Sequence, residues 1–166
     1  MTPTVAIIVA LIALSGVIFT LLFNARQARE QRREERRHDC ETLRAALLAE
    51  LRINRGSLKE NIETSKESSN RPGAFVPTDP MDDAYRAYTH RLGLLSPDEV
   101  HKVMLAHLSL RAYRAKLILI GKPTDTGGRF VEIGPDFFEA LPEMQEGLMV
   151  PIDDAIQAME RAQDAG

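Results

Sequence analysis

A single cysteine, Cys40, is all that this chain of 166 residues contains. One thiol cannot close an internal disulfide, so the fold is no disulfide scaffold, and a reducing compartment is compatible with it. Charge is missing from residues 4–23, TVAIIVALIALSGVIFTLLF. Proline and glycine are missing from residues 24–55, which removes the strongest helix breakers from that stretch. Aromatic residues make up 5% of the chain, and none lies among the arginines that follow residue 23. The stacking platform of a single-strand nucleic-acid binder is therefore absent there.

What is present begins with the uncharged run. Twenty helical residues rise about 30 Å, the thickness of a bilayer's hydrocarbon core. Thr4, Ser15, Gly16 and Thr20 are its only departures from Val, Ile, Leu, Ala and Phe. A secretory signal peptide is the rival reading. It calls for a basic n-region and a small-x-small cleavage site after a shorter apolar run. Ala13 and Ser15 imitate that site, but no Lys or Arg precedes them and eight apolar or weakly polar residues follow. Residues 1–23 are accordingly expected to be a retained transmembrane anchor.

Arg26, Arg29, Arg32, Arg33, Arg36 and Arg37 come next. The positive-inside rule holds such a collar in the cytoplasm. The expectation is a single-pass protein of the bacterial inner (plasma) membrane, N-terminus outside and C-terminal domain in the cytoplasm. Residues 24–37 carry a net +3, and the whole chain −3, which leaves −6 on residues 38–166. An acidic domain is a poor phosphate binder, so nucleic acid is not an expected partner. Residues 24–37 read instead as a basic juxtamembrane helix in contact with the lipid bilayer. Arg26 and Arg29 lie nearest the headgroups, where each can contribute about 1 kcal/mol with anionic lipid. Arg37, roughly 20 Å beyond Phe23 along a straight helix, lies past the ~8 Å screening length. Arg26 and Glu30, and Glu30 and Arg33, have the spacing of helical ion pairs.

Apolar spacing carries the helix onward. Cys40, Leu43, Leu47, Leu51, Asn54, Leu58 and Ile62 recur at intervals of 3, 4, 4, 3, 4 and 4, an eleven-residue phasing that favours nearly straight packing. This defines a first cytoplasmic helix over 38–62. Asn54, on the stripe, reads either as a capped amide or as a polar register pin. Residues 63–77, rich in Ser, Asn, Pro and Gly, read as a flexible loop in which only Phe75 and Val76 can pack.

Residues 78–166 hold the remaining helices. Thr78 or Asp79 can cap one, with Pro80 in its first turn, Met81, Tyr85, Tyr88 and Leu92 along one side, and Gly93 as a left-handed stop. Ser96-Pro97-Asp98-Glu99 is a capping box opening a helix that runs to Ile120 and ends at Gly121. Its main stripe is Val103, Ala106, Leu110, Tyr113, Leu117 and Ile120, flanked by Val100, Met104 and His107. A turn at TDTGGRF precedes a short extended piece at Phe130–Ile133. In the last segment Leu141, Met144, Leu148, Ile152, Ala155, Met159 and Ala162 nearly repeat the phasing of the first cytoplasmic stripe. Those two helices are predicted to pack together. Pro151 predicts a kink or short break near residues 147–151. The fold class expected is all-α: a transmembrane helix continuing into a small cytoplasmic bundle of about four helices.

Chemistry is thinly represented. Gly121-Lys122-Pro123-Thr124 resembles the tail of a phosphate loop, but the upstream glycine is absent and Pro replaces the hydroxyl residue. His38 and Cys40, two apart, point to different sides of a helix, as do His101 and His107, six apart; His90 stands alone. No metal, cofactor or catalytic residue is expected. The acid pairs Asp82-Asp83, Asp98-Glu99 and Asp153-Asp154 suit helix starts or the residues after a proline. The expected function is a membrane-anchored helical interaction or scaffold module without catalytic activity. Its partner would be a further copy of the chain or another protein. Ala6-x-x-x-Ala10 and Gly16-x-x-x-Thr20 offer weak close-approach patterns within the span. The alternative is an envelope-facing protein of the phage-lysis type, with one N-terminal span and an extracytoplasmic helical domain. The arginine cluster argues against it, since the cluster would have to cross the membrane.

Overall fold

The computed structural model describes residues 3–67, 74–124 and 130–164, with the side chains of residues 3–18, 67, 74 and 75 outside the description. The chain divides into two compact units, Met1–Cys40 and Glu41–Gly166. It is mostly helical, in keeping with an all-α class. A small three-stranded sheet is added to the helices.

The described residues of the first unit all belong to helix α1, which runs unbroken over Pro3–Glu67. Side chains 19–38 are exposed throughout. Arg26 and Glu30 make the expected i,i+4 pair at 3.3 Å, and Gln31 donates to Glu35 one turn on. Among the described residues no helix is long and apolar enough to cross a membrane. Most of the span expected at 4–23 falls on side chains outside the description, so the transmembrane part of the expected fold draws no support from the structure.

In the second unit, the later part of α1 packs with α3 (Pro97–Ile120) and α5 (Leu141–Asp164). Leu43, Leu47, Leu51, Asn54, Leu58, Ile62 and Ser65 are all buried, and their spacing continues the eleven-residue rhythm. Arg52–Glu160, Arg55–Asp153 and Lys66–Glu146 join α1 to α5. As the α1 numbers rise the α5 numbers fall, so the two helices run antiparallel. On α5 the buried set is Leu141, Gln145, Leu148, Ile152, Ala155, Ile156, Ala158 and Met159. Gln145 thus takes the core position expected of Met144, because its amide donates to the buried Tyr113 hydroxyl at 2.8 Å. Burial pushes that phenol up to about 12.

Of the kink or short break expected near residues 147–151, the break does not occur: α5 is continuous through Pro151. Gly147, whose carbonyl loses its usual donor, is exposed, so water can replace the missing N–H. The capping box forms with both reciprocal bonds. Glu99 does more than close it. Its carboxylate also takes Arg44 of α1 through Nε at 2.6 Å and Nη2 at 3.1 Å. Burial alone would raise the Glu99 carboxyl, but Arg44 and the Ser96 donors outweigh it and hold it below the usual range.

Of the connection expected at 63–77, residues 63–67 belong to α1 and Ala74–Pro77 form strand β1; residues 68–73 lie outside the description. Phe130–Ile133, expected to be extended, is strand β3, between β1 and β2 (Lys122–Pro123) in an antiparallel order β1-β3-β2. Val131 and Ile133 are buried and alternate with exposed Phe130 and Glu132, the period-2 pattern of a half-buried strand. Gly121 ends α3 against this sheet. A Cβ there would stand 2.6 Å from the Val131 Cβ, so close approach rather than a left-handed turn calls for glycine. A single helical turn, α4 (Pro135–Phe138), precedes α5.

The helix expected after Thr78 starts later than its sequence signals suggest. Helix α2 covers Asp83–Tyr88 and passes into a 3-10 turn over Thr89–Leu94. Gly93 lies inside that turn without a positive φ.

Candidate functional site

Two buried polar side chains of α1 fix the segment that leads into α2. The Asn54 amide donates to the Met81 carbonyl at 2.7 Å and accepts from the Met81 N–H at 2.9 Å. One turn earlier, the Glu50 carboxylate accepts the N–H groups of Ala84 and Tyr85 at 2.6 and 3.1 Å. These are orphan donors at the start of α2, and Asp82 makes no side-chain cap. Glu50 therefore caps a helix from another element. Burial, the larger influence, raises its carboxyl against the lowering effect of those two donors.

Tyr85, held there, stacks on His107 of α3 with ring centroids 4.0 Å apart. His107 is only 2% exposed, and desolvation pushes its pKa down to about 4. The ring is therefore neutral near pH 7. Its Nε2 lies 3.5 Å from Glu50 Oε1 and has no hydrogen-bond partner among the described residues. At that distance the two groups are in contact but not hydrogen-bonded. Glu50, His107 and Tyr85 have the residue types of a catalytic cluster. Both oxygens of Glu50 are occupied by backbone donors, and the imidazole is sealed from solvent.

Above this network lies a groove of about 1070 Å3 between α1, residues 77–83 and α3. Leu58, Leu110 and Ile118 contribute apolar surface, and Asn61 a polar group. Its rim carries paired charge. Arg114 meets Asp79 at 2.8 Å, while Asp82 is approached by Arg111 at 3.7 Å and by Arg86 at 3.8 Å. The Arg111 guanidinium also stands 5.8 Å above the Tyr85 ring. The groove thus presents hydrogen-bonding groups and balanced charge beside apolar surface. Next to it, the side of α3 that faces away from the core exposes Met104, Leu105, Leu108 and Leu119, the last at 85%.

The residues singled out in the sequence do not converge. Arg26, Arg29, Arg32, Arg33, Arg36 and Arg37 are exposed along α1 in the first unit. His38, His90 and His101 are exposed and Cys40 is half-buried. Among the described residues no group of three or more His, Cys, Asp or Glu is placed to hold a metal ion. Glu50, Arg44 and Gln145 are polar residues of the interior that the apolar pattern did not anticipate, whereas His107, expected beside the main stripe of α3, is buried there. Of the three that were missed, Glu50 carried a signal, sitting between Leu47 and Leu51 on the buried side.

No family model, curated protein or solved structure matches the chain.

Proposed function

We propose that the chain is a single-pass, membrane-anchored helical interaction or scaffold module, with its second unit in the cytoplasm and no catalytic activity of its own. The junction at residue 23 carries this reading. Residues 4–23 are uncharged and long enough for a bilayer core, and six arginines follow them. Phe19, Leu21, Leu22 and Phe23 stand 58–71% exposed on α1. Four large apolar exposures within five residues are costly in water and favourable in lipid. Arg26 and Arg29 then fall at headgroup depth, where anionic lipid favours them.

Support for an interaction role comes from the second unit. Its groove has balanced charge and its α3 carries a bare apolar side, features suited to a protein partner. The anchor is tested by alkaline extraction of membranes from cells producing the full chain or a chain lacking residues 1–23. The full chain is expected in the membrane pellet and the shortened one in the supernatant. Release of the full chain by alkali would end the reading.

A further inference from the structure

Residues 79–91 cross the second unit without a buried residue, whereas Thr78 before them and Leu92 after them are buried. Helix α2 lies inside this stretch and has no buried residue of its own. Such an element gains little from the hydrophobic effect, so its polar contacts decide whether it stays in place. In its middle Asn54 holds Met81 by two bonds, Glu50 holds Ala84 and Tyr85, and the Tyr85 ring stacks on His107. The pairs Asp79–Arg114 and Asp82–Arg111 lie partly in solvent and contribute little. The stretch is a strap, anchored at both ends and latched between them. Asp79, Pro80, Met81, Asp82, Asp83 and Arg86 of the strap wall the groove.

Of the two latching side chains Asn54 does not titrate and Glu50 does. Glu50 Oε2 accepts the Ala84 N–H and Oε1 the Tyr85 N–H, and the same Oε1 lies 3.5 Å from His107 Nε2. Glu50 and His107 are 3% and 2% exposed, and Nε2 has no partner among the described residues. A carboxylate oxygen and an imidazole nitrogen that face each other without a hydrogen bond lack the one proton that would join them. That proton, taken from solvent, makes Oε1 a donor to Nε2. The Tyr85 N–H then loses its acceptor, and the bond from Ala84 loses the negative charge that strengthens it. Both amides belong to an element without buried residues, so water can take them over. Asp82 and Asp83 of the strap favour the proton on the pair, and Arg111 of α3 opposes it.

We infer that residues 79–91 form a strap released by acid: when the Glu50–His107 pair takes up one proton, Glu50 turns from capping α2 to bonding His107, and the strap swings off the groove. The Asn54 bonds keep Met81 in place, so the groove opens at the end lined by Asp82, Asp83 and Arg86. Only the use of the opened groove, to admit a partner, rests on the interaction-module reading. Release of the strap requires neither that reading nor the anchor.

The test is backbone hydrogen exchange read by mass spectrometry on the full chain in a mild non-ionic detergent. It compares about pH 7.5 with about pH 5.5, exchange times being scaled for the intrinsic effect of pH. Protection of residues 82–88 is expected to fall by at least about tenfold at the lower pH, while residues 103–117 of α3 keep theirs. Glu50→Gln, whose amide reproduces the shape and the donor of a protonated carboxyl, should leave the strap released at both pH values. His107→Phe keeps a ring against Tyr85 but removes Nε2, and should hold the strap in place at the lower pH. Thermal unfolding confirms that each variant is folded, and the two pH values in the natural chain decide without any variant. Equal protection of residues 82–88 at both pH values overturns the inference, as does a fall that residues 103–117 share. So does a fall that persists undiminished in Glu50→Gln or in His107→Phe.

Discussion

Asn54 shows how one side chain can organise a surface. Its two bonds to Met81 hold the segment that forms one wall of the groove. Asn54→Ala would leave the Met81 backbone groups without their partner in a half-buried setting. The expected loss is about 2 kcal/mol, read as a lower urea midpoint with an unchanged slope. A change below about 0.5 kcal/mol would mean that water replaces the amide freely. His107 makes a second prediction. Its pKa in the fold, about 4, lies below the 6.5 of an ordinary histidine. Between these values the unfolded chain binds the proton and the folded one does not, so stability falls as pH drops from 6.5 to 4. The full difference is worth about 3 kcal/mol. Asp82 opposes the shift and Arg111 adds to it, both smaller than desolvation. Glu50, with a raised carboxyl, acts in the other direction and regains stability as pH falls through the carboxylate range. Chemical unfolding at a series of pH values should show the His107 slope in the natural chain and lose it in His107→Leu. An identical slope in both would assign the acid sensitivity elsewhere.

At the scale of elements, three glycines separate space from strain. Gly56 and Gly147 lie inside helices, and a Cβ at either would meet nothing within 4 Å. Gly56→Ala and Gly147→Ala should each raise stability by about 1 kcal/mol. Gly121→Ala should lower it by about 1–3 kcal/mol, because the added methyl meets Val131 and the Leu117 carbonyl. Equal thermal shifts at all three positions would contradict the close approach of α3 and β3. The same scale shows what was legible in the residues. The eleven-residue stripe of α1, the capping box at Ser96 and the extended piece at Phe130–Ile133 rest on local periodicity and local hydrogen bonds, and all are found. The start of α2 was not legible, since its cap is Glu50, 34 residues away from Ala84. Nor was the pairing of β1 with β3, since Val76 and Val131 become neighbours only through tertiary folding. Gln145 escaped for the same reason: a polar residue reads as surface until its partner, Tyr113, is known. The groove joins residues from three separate stretches, so no contiguous motif announces it.

At the scale of the molecule, the two units divide the work proposed for the chain. The first holds the apolar run and its arginines; the second offers the groove and the bare side of α3 to a partner. The proposed arrangement depends on the arginines remaining in the cytoplasm while residues 4–23 stay in lipid. The most direct measurement is a pair of reporters fused after Gly166, one active only in the cytoplasm and the other only outside it. The cytoplasmic reporter should be active and the other silent, with the fusion protein in the membrane fraction. Activity of the external reporter alone would contradict the account and favour an envelope-facing domain.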